Sequence, residues 1–115
     1  MPHDPEKYLY DAREAAKLIT QFVGSKSFSD YLSDLLLQSG VERQLIIAGE
    51  ALNKLSKVSP DAVLRIKAHK QIIAFRNLAV HGYDMLDNET IWGIVKTHEP
   101  ILQRDVEILL KEIEK

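Results

Sequence analysis

Several residue types and patterns that would define a protein class are missing from this chain. Its 115 residues include no cysteine at all, and they include only four prolines and five glycines. The absence of cysteine excludes disulfides, a thiol nucleophile and a cysteine-based zinc site. No apolar run approaches the roughly 18 residues that a membrane-spanning helix needs. The polar start, residues 1–6, is also unlike a signal peptide. We therefore expect a soluble, cytoplasmic protein without a membrane partner.

Charge is distributed unevenly along the chain. The formal net charge is -2, so no overall basic field attracts nucleic acid. From Ala62 to Tyr83, however, there is no Asp or Glu. This basic segment contains Arg65, Lys67, His69, Lys70, Arg76 and His81. Such a segment is typical of a local phosphate-binding face, and it is also compatible with an ordinary solvated helix surface.

The apolar residues recur at spacings of three and four, and strand-like alternation is absent. This periodicity predicts an all-α chain. Short connections favour an antiparallel up-down four-helix bundle with one additional short helix, in a single domain over residues 1–115. Asp4 and Pro5 are the cap and first residue of the first helix, and Gly24 is its expected end.

Local signals also predict the later helix boundaries. Ser27 resembles the start of a capping box and opens a short helix over about residues 28–38. A break at Ser39-Gly40 then separates it from a long helix that continues to about Lys57.

A further long helix is expected to start at Ser59-Pro60 and to end at Gly82. Asp87 or Asn88 should cap the last helix. Pro100 lies inside that helix and should kink it about one turn earlier, because proline removes a backbone donor.

The segment Arg76-Asn77-Leu78-Ala79-Val80-His81-Gly82-Tyr83 is the strongest indication of function. It combines a permanently charged guanidinium, an imidazole that titrates near neutrality and a phenol that can be modified. These groups suit phosphate chemistry, since one stabilises negative charge and another carries a proton.

Helix geometry constrains how these groups can meet. Five residues on a regular helix are about 140° apart in rotation, so Arg76 and His81 would not lie side by side. Asn77 and His81, four residues apart, would share a face. Either the helix loosens before Gly82 and turns His81 toward Arg76, or a second subunit completes the site in a two-fold dimer.

The Arg-x4-His-x-Tyr spacing at a helix end resembles the signature of the HEPN superfamily, most closely its HepT-like ribonuclease toxins. The similarity covers nearly the whole chain. In Ile47–Ala51 the sequence differs from the family's Ile-Gly-Glu-Ala stretch by Ala48 before Gly49. The other matching positions are Tyr8-Leu9, Ser27-Phe28, Tyr31-Leu32, Ile91-Trp92 and Pro100.

The resemblance implies a dimeric, metal-independent endoribonuclease that needs no cofactor. Arg76 and His81 would be its catalytic residues. His81 would move the proton of the RNA 2'-hydroxyl and Arg76 would stabilise the charged transition state, with Asn77 in a supporting role. DNA lacks the 2'-hydroxyl, so the substrate would be RNA.

The resemblance also implies a partner. HepT-like toxins commonly pair with a minimal nucleotidyltransferase antitoxin that transfers AMP to the tyrosine of this motif, here Tyr83. The O-AMP-tyrosine would place an anion in the cleft and silence the toxin.

Two other functions stay open at this point. The chain could be a non-catalytic helical partner and substrate of the nucleotidyltransferase, or a structural dimerisation bundle. In the latter case Arg76 would pair with Glu50 or cap a helix, His81 would favour the helix dipole, and Tyr83 would be a half-buried aromatic with a hydrogen-bonded hydroxyl. No Glu-x-x-His occurs, which argues against a di-metal bundle site.

Overall fold

The computed structural model describes residues 4–114, and within that range the regular structure is entirely helical. This confirms the predicted all-α class. In chain order the helices are α1 (Pro5–Val23), α2 (Phe28–Leu32), α3 (Leu35–Val58), α4 (Pro60–Leu64), α5 (His69–His81), α6 (Asn88–Gly93) and α7 (Glu99–Ile113). A 3₁₀ turn (Tyr83–Met85) follows α5, and a π-helical turn (Ile94–His98) joins α6 to α7.

The four longest helices, α1, α3, α5 and α7, form the predicted bundle. Helix α1 packs against α3 and α7, α3 packs against α5, and α5 contacts the π-helical turn before α7. Each helix contributes one apolar stripe to a shared core, as its periodicity predicts. Fully buried side chains of this core include Leu9, Ile19, Leu45, Leu52, Ile72, Leu102 and Val106.

Local signals set the boundaries of the first two helices. The Asp4 carboxylate accepts a hydrogen bond from the Lys7 backbone N–H at 3.3 Å and caps α1. Gly24 ends this helix with a φ of 51°, a conformation that favours glycine. Ser27 and Asp30 form the predicted reciprocal capping box of α2. These boundaries are confirmed.

The predicted break at Ser39-Gly40 is wrong. The interruption lies at Ser33-Asp34, because the Asp34 side chain caps α3 by accepting from the Leu37 N–H at 3.0 Å. Gly40 lies inside α3, where a Cβ would be 3.3 Å from the Phe22 ring of α1. This glycine therefore permits a close contact between helices and does not end one.

The helix predicted from Ser59-Pro60 to Gly82 is divided in two. Helix α4 ends at Leu64, and α5 begins only at His69. Between them, the Asp105 carboxylate of α7 accepts a hydrogen bond from the Lys67 N–H at 3.0 Å. The Lys67 N–H thus finds its acceptor on α7 and not within a continuous helix. The break between α4 and α5 therefore depends on a contact between residues 38 positions apart.

The last helix is irregular in the region where Pro100 predicts a kink. Asp87 caps α6, and the π-helical turn Ile94–His98 immediately precedes α7. In α7 the carboxylate of Glu99 is buried and accepts a hydrogen bond from Thr20 of α1 at 3.1 Å. Burial raises the pKa of Glu99.

Residues 4–114 contain no helix that is both long enough and apolar enough to cross a membrane.

Candidate functional site

Helix α5 presents Arg76 toward α3. The Arg76 side chain is 24% exposed, and its Nη1 donates a hydrogen bond to Asn77 Oδ1 at 3.0 Å. Its Nε lies 4.0 Å from Glu50 Oε1 of α3. That Nε is buried and has no hydrogen-bond partner among residues 4–114. The guanidinium is therefore oriented by Asn77 and by the charge of Glu50, while part of it stays open to solvent.

Gly49 makes this position of Arg76 possible. A Cβ at Gly49 would collide with Arg76 Cβ and would lie 2.9 Å from the Ile72 carbonyl oxygen. The backbones of α3 and α5 thus approach closely one residue before Glu50. Sequence reasoning used Gly49 only as part of a resemblance and missed this role. A glycine inside a predicted helix, beside a Glu, was the available signal.

His81 is the last residue of α5 and is exposed. Its ring makes no hydrogen bond within the described part of the chain. The helix stays regular up to this residue, and the Gly82 N–H closes it on the Leu78 carbonyl at 2.7 Å. The predicted loosening before Gly82 is therefore wrong. A single chain does not turn the His81 imidazole toward Arg76, since the rotation of a regular helix separates them.

Tyr83 lies in the 3₁₀ turn just beyond α5. Tyr83 is 63% exposed, so the expected half-burial of this residue is wrong, while the expected hydrogen bond of its hydroxyl is present. The hydroxyl donates a hydrogen bond to Glu42 Oε1 of α3 at 2.9 Å. This hydrogen bond and the negative charge of Glu42 raise the pKa of Tyr83. Glu42 was not identified from the sequence, because nothing local connects it to Tyr83.

A second tyrosine adjoins this pair. Tyr31 of α2 is fully buried, and its ring packs against Trp92 with centroids 5.2 Å apart. Its hydroxyl is buried without a hydrogen-bond partner in the described range. Burial raises the pKa of Tyr31, and Glu42 and Tyr83 raise it further. Glu42 thus interacts electrostatically with two phenols.

The basic segment is only partly available to a ligand. Both terminal nitrogens of Arg65 donate to the carboxylate of Glu112, at 2.7 and 2.5 Å. The lysines Lys67 and Lys70 are exposed and make no ion pair within residues 4–114. The unpaired positive charge of this segment is therefore exposed at Lys67 and Lys70, near the start of α5.

Three apolar side chains close to His81 in the sequence are exposed. Leu78, Val80 and Met85 are 39%, 49% and 69% exposed. A groove of about 540 Å³ lies alongside, between α5 and the segment from α6 through the π-helical turn. Exposed apolar side chains that adjoin a groove are typical of interaction surfaces.

No group of three or more His, Asp or Glu side chains in residues 4–114 is arranged to hold a metal ion.

The fold and the site together define a helical bundle that carries an Arg-Asn-x3-His-x-Tyr segment at a helix end. The family described as "Ribonuclease HepT-like" matches residues 12–109. The chain belongs to this HepT-like ribonuclease family, which confirms the resemblance to the HEPN superfamily.

Similar proteins extend over almost the whole chain. It is 32% identical to the "Probable ribonuclease HepT" of Thermococcus cleftensis, covering 96% of this chain and 100% of that one. It is 30% identical to the "Putative RNase MJ0127" of Methanocaldococcus jannaschii, covering 96% and 91%. No solved structure matches the chain significantly.

Proposed function

We propose that this chain is the toxin of a toxin–antitoxin pair, a metal-independent endoribonuclease that cuts RNA through Arg76 and His81 at a dimer cleft. One observation carries the proposal. Arg76 is held by Asn77 and Glu50 with part of its charge exposed, and an unpaired imidazole ends the same helix. Membership of a ribonuclease family supports this use of the two groups.

The reaction needs a base, an acid and a cation. His81 takes the proton of the 2'-hydroxyl, and the 2'-oxygen then attacks the adjacent phosphorus. The bond to the 5'-oxygen breaks, and this oxygen leaves with the electron pair and takes a proton from water, which acts as the acid. Arg76 stabilises the negative charge that develops on the phosphoryl oxygens. The products are a 2',3'-cyclic phosphate and a 5'-hydroxyl, so the chemistry itself requires no metal.

A second copy of the chain completes the site in this proposal. Arg76 and His81 lie on a regular helix, about 140° apart in rotation, so one chain does not bring them together. In the proposed dimer the two-fold axis lies near the C-terminal end of α5, so that His81 of one copy comes near Arg76 of the other. The exposed Leu78 and Met85, which line the same groove, would supply apolar contact area for such a dimer. Asn77, bonded to Arg76, keeps the guanidinium oriented.

RNA cleavage in the presence of EDTA tests the nuclease directly. We expect unmodified protein to cut RNA at the same rate with and without EDTA, because no step uses a metal ion. End-group analysis should find a 2',3'-cyclic phosphate. Loss of cleavage in EDTA, with recovery on adding Mg²⁺, would contradict the proposal. Folded, unmodified protein that leaves several RNAs uncut would favour the non-catalytic partner and nucleotidyltransferase substrate.

Tyr83 is the proposed site of regulation. Tyr83 is exposed and only two residues from His81, so an adenylyl group on its hydroxyl would bring a phosphate close to the proposed cleft. That phosphate would compete with RNA for the cation and obstruct access. A cognate nucleotidyltransferase antitoxin would perform the transfer.

Intact mass spectrometry tests the modification. Protein co-expressed with its nucleotidyltransferase should gain about 329 Da, the mass of one adenylyl unit. Tyr83→Phe should not gain this mass. Tyr10→Phe is the matched control, since Tyr10 is also exposed but lies on α1, and it should be modified normally. An unmodified Tyr83 in the presence of active enzyme and ATP would refute the regulation.

A further inference from the structure

The carboxylate of Glu42 lies in direct contact with the hydroxyl that we propose is modified. The 2.9 Å hydrogen bond joins two residues 41 positions apart, one on α3 and one in the turn after α5. Glu42 makes no ion pair within residues 4–114. Its negative charge is therefore available to the phenol and is not neutralised by a nearby cation.

Tyrosine is a weak nucleophile when it is protonated. A phenol ordinarily loses its proton near pH 10, and the hydrogen bond to Glu42 raises the pKa of Tyr83 above this value. At neutral pH very little tyrosinate would exist before the reaction. A protonated tyrosine can still react if a base lies within hydrogen-bond reach of its hydroxyl, about 2.6–3.2 Å. The base then removes the proton as the new bond forms.

We infer that Glu42 is the general base that activates Tyr83 for nucleotidyl transfer from a nucleoside triphosphate. The inference rests on the proposed modification of Tyr83. As Tyr83 Oη bonds to the α-phosphorus, its proton passes to Glu42 Oε1. The bond from the α-phosphorus to the oxygen bridging to the β-phosphate breaks, and pyrophosphate leaves with the electron pair. The transferase supplies the bound triphosphate and stabilises the leaving group, while this chain supplies both nucleophile and base.

The titratable residues around Tyr83 and Glu42 come from α2, α3 and the segment that carries Tyr83 itself. Glu42 faces Tyr83 from α3, and Tyr31 adjoins both from α2 with a buried hydroxyl that has no partner in residues 4–114. On the segment of Tyr83 itself, the other titratable neighbours are His81 and Asp84, both exposed. Of these groups, only Glu42 makes a hydrogen bond with the Tyr83 hydroxyl.

The rate of modification of Glu42→Gln tests the inference. Glutamine can still accept the hydrogen bond from Tyr83 but cannot take its proton. With the full chain, its nucleotidyltransferase and ATP, followed by intact mass, we expect transfer about 100-fold slower at pH 7. The variant should then gain rate roughly tenfold per pH unit, because only pre-formed tyrosinate reacts, while the native rate should depend much less on pH.

Two controls separate proton removal from other effects. Glu14→Gln removes the same charge from α1, where Glu14 contacts Arg13 and Lys17, and it should be modified at the native rate. Thermal unfolding should show that Glu42→Gln remains folded. A Glu42→Gln protein modified as fast as the native chain would overturn the inference. A rate lowered by the same factor at every pH would also overturn it, since that result indicates orientation or docking.

The outcome for the native chain distinguishes the two proposals. If native protein is modified and Glu42→Gln behaves identically, only the base is refuted. If native protein stays unmodified with an active transferase and ATP, the modification of Tyr83 is refuted and the role of Glu42 with it.

Discussion

His81→Ala protein is expected to cut RNA at least about 100-fold more slowly than the native chain, because it loses the group that moves the proton of the 2'-hydroxyl. The effect on folding should be small. His81 is exposed at the end of α5, and its ring makes no hydrogen bond within residues 4–114. The measurement is the initial rate of cleavage of a fluorescent RNA, with the unfolding midpoint recorded in parallel.

His69→Ala is the matched control for this experiment. His69 is a half-buried histidine at the first position of the same helix, about 18 Å from His81 along the axis. Its Nδ1 lies 2.7 Å from the Ile66 carbonyl oxygen, and His69 is not one of the proposed catalytic residues. The His69→Ala protein should cleave RNA at the native rate. A native rate of RNA cleavage in His81→Ala protein would exclude His81 as the proton carrier. Equal losses of cleavage in both variants would indicate unfolding.

Mixing two inactive variants tests whether the site is shared between subunits. In a dimer of Arg76→Ala with His81→Ala, one composite site keeps the native arginine of one copy and the native histidine of the other. Free exchange of subunits should therefore restore about a quarter of the native sites. A mixture as inactive as its components, with exchange shown by mass, would contradict a site built from both copies.

Gly49→Ala is expected to destabilise the folded chain by about 3 kcal/mol, the upper part of the usual range for overpacking. A methyl group there would collide with Arg76 Cβ and lie 2.9 Å from the Ile72 carbonyl oxygen. The neighbours are backbone and the base of a side chain, which cannot rotate away. Helices α3 and α5 would have to separate, and Arg76 would move away from Glu50. Urea unfolding measures the loss, and RNA cleavage should fall with it.

Gly93→Ala is the control for the intrinsic preference of a helix for alanine. Gly93 is exposed in α6, and a Cβ there would meet no atom within 4 Å. This substitution should be neutral or should stabilise by up to about 1 kcal/mol. A Gly49→Ala protein as stable as native, with an unchanged urea dependence, would show that α3 and α5 are not in close contact at Arg76.

Much of the fold was predictable because its signals are local. The caps at Asp4 and Ser27 and the end at Gly24 act within four residues, and the apolar periodicity specifies which side of each helix is buried. The candidate segment from Arg76 to Tyr83 was also visible in the sequence, since its residues are close together in the chain. The catalytic roles of Arg76 and His81 stay a prediction.

The tertiary structure decided what depends on distant residues. The gap between α4 and α5 follows from the contact between Lys67 and Asp105 across the bundle, and the orientation of Arg76 follows from Gly49 and Glu50 on α3. By sequence alone this chain is an all-α protein with a HEPN-like Arg, His and Tyr. Only packing shows that Glu50 meets the Arg and Glu42 meets the Tyr, because residues 26 and 41 positions apart become neighbours only when apolar stripes bring their helices together.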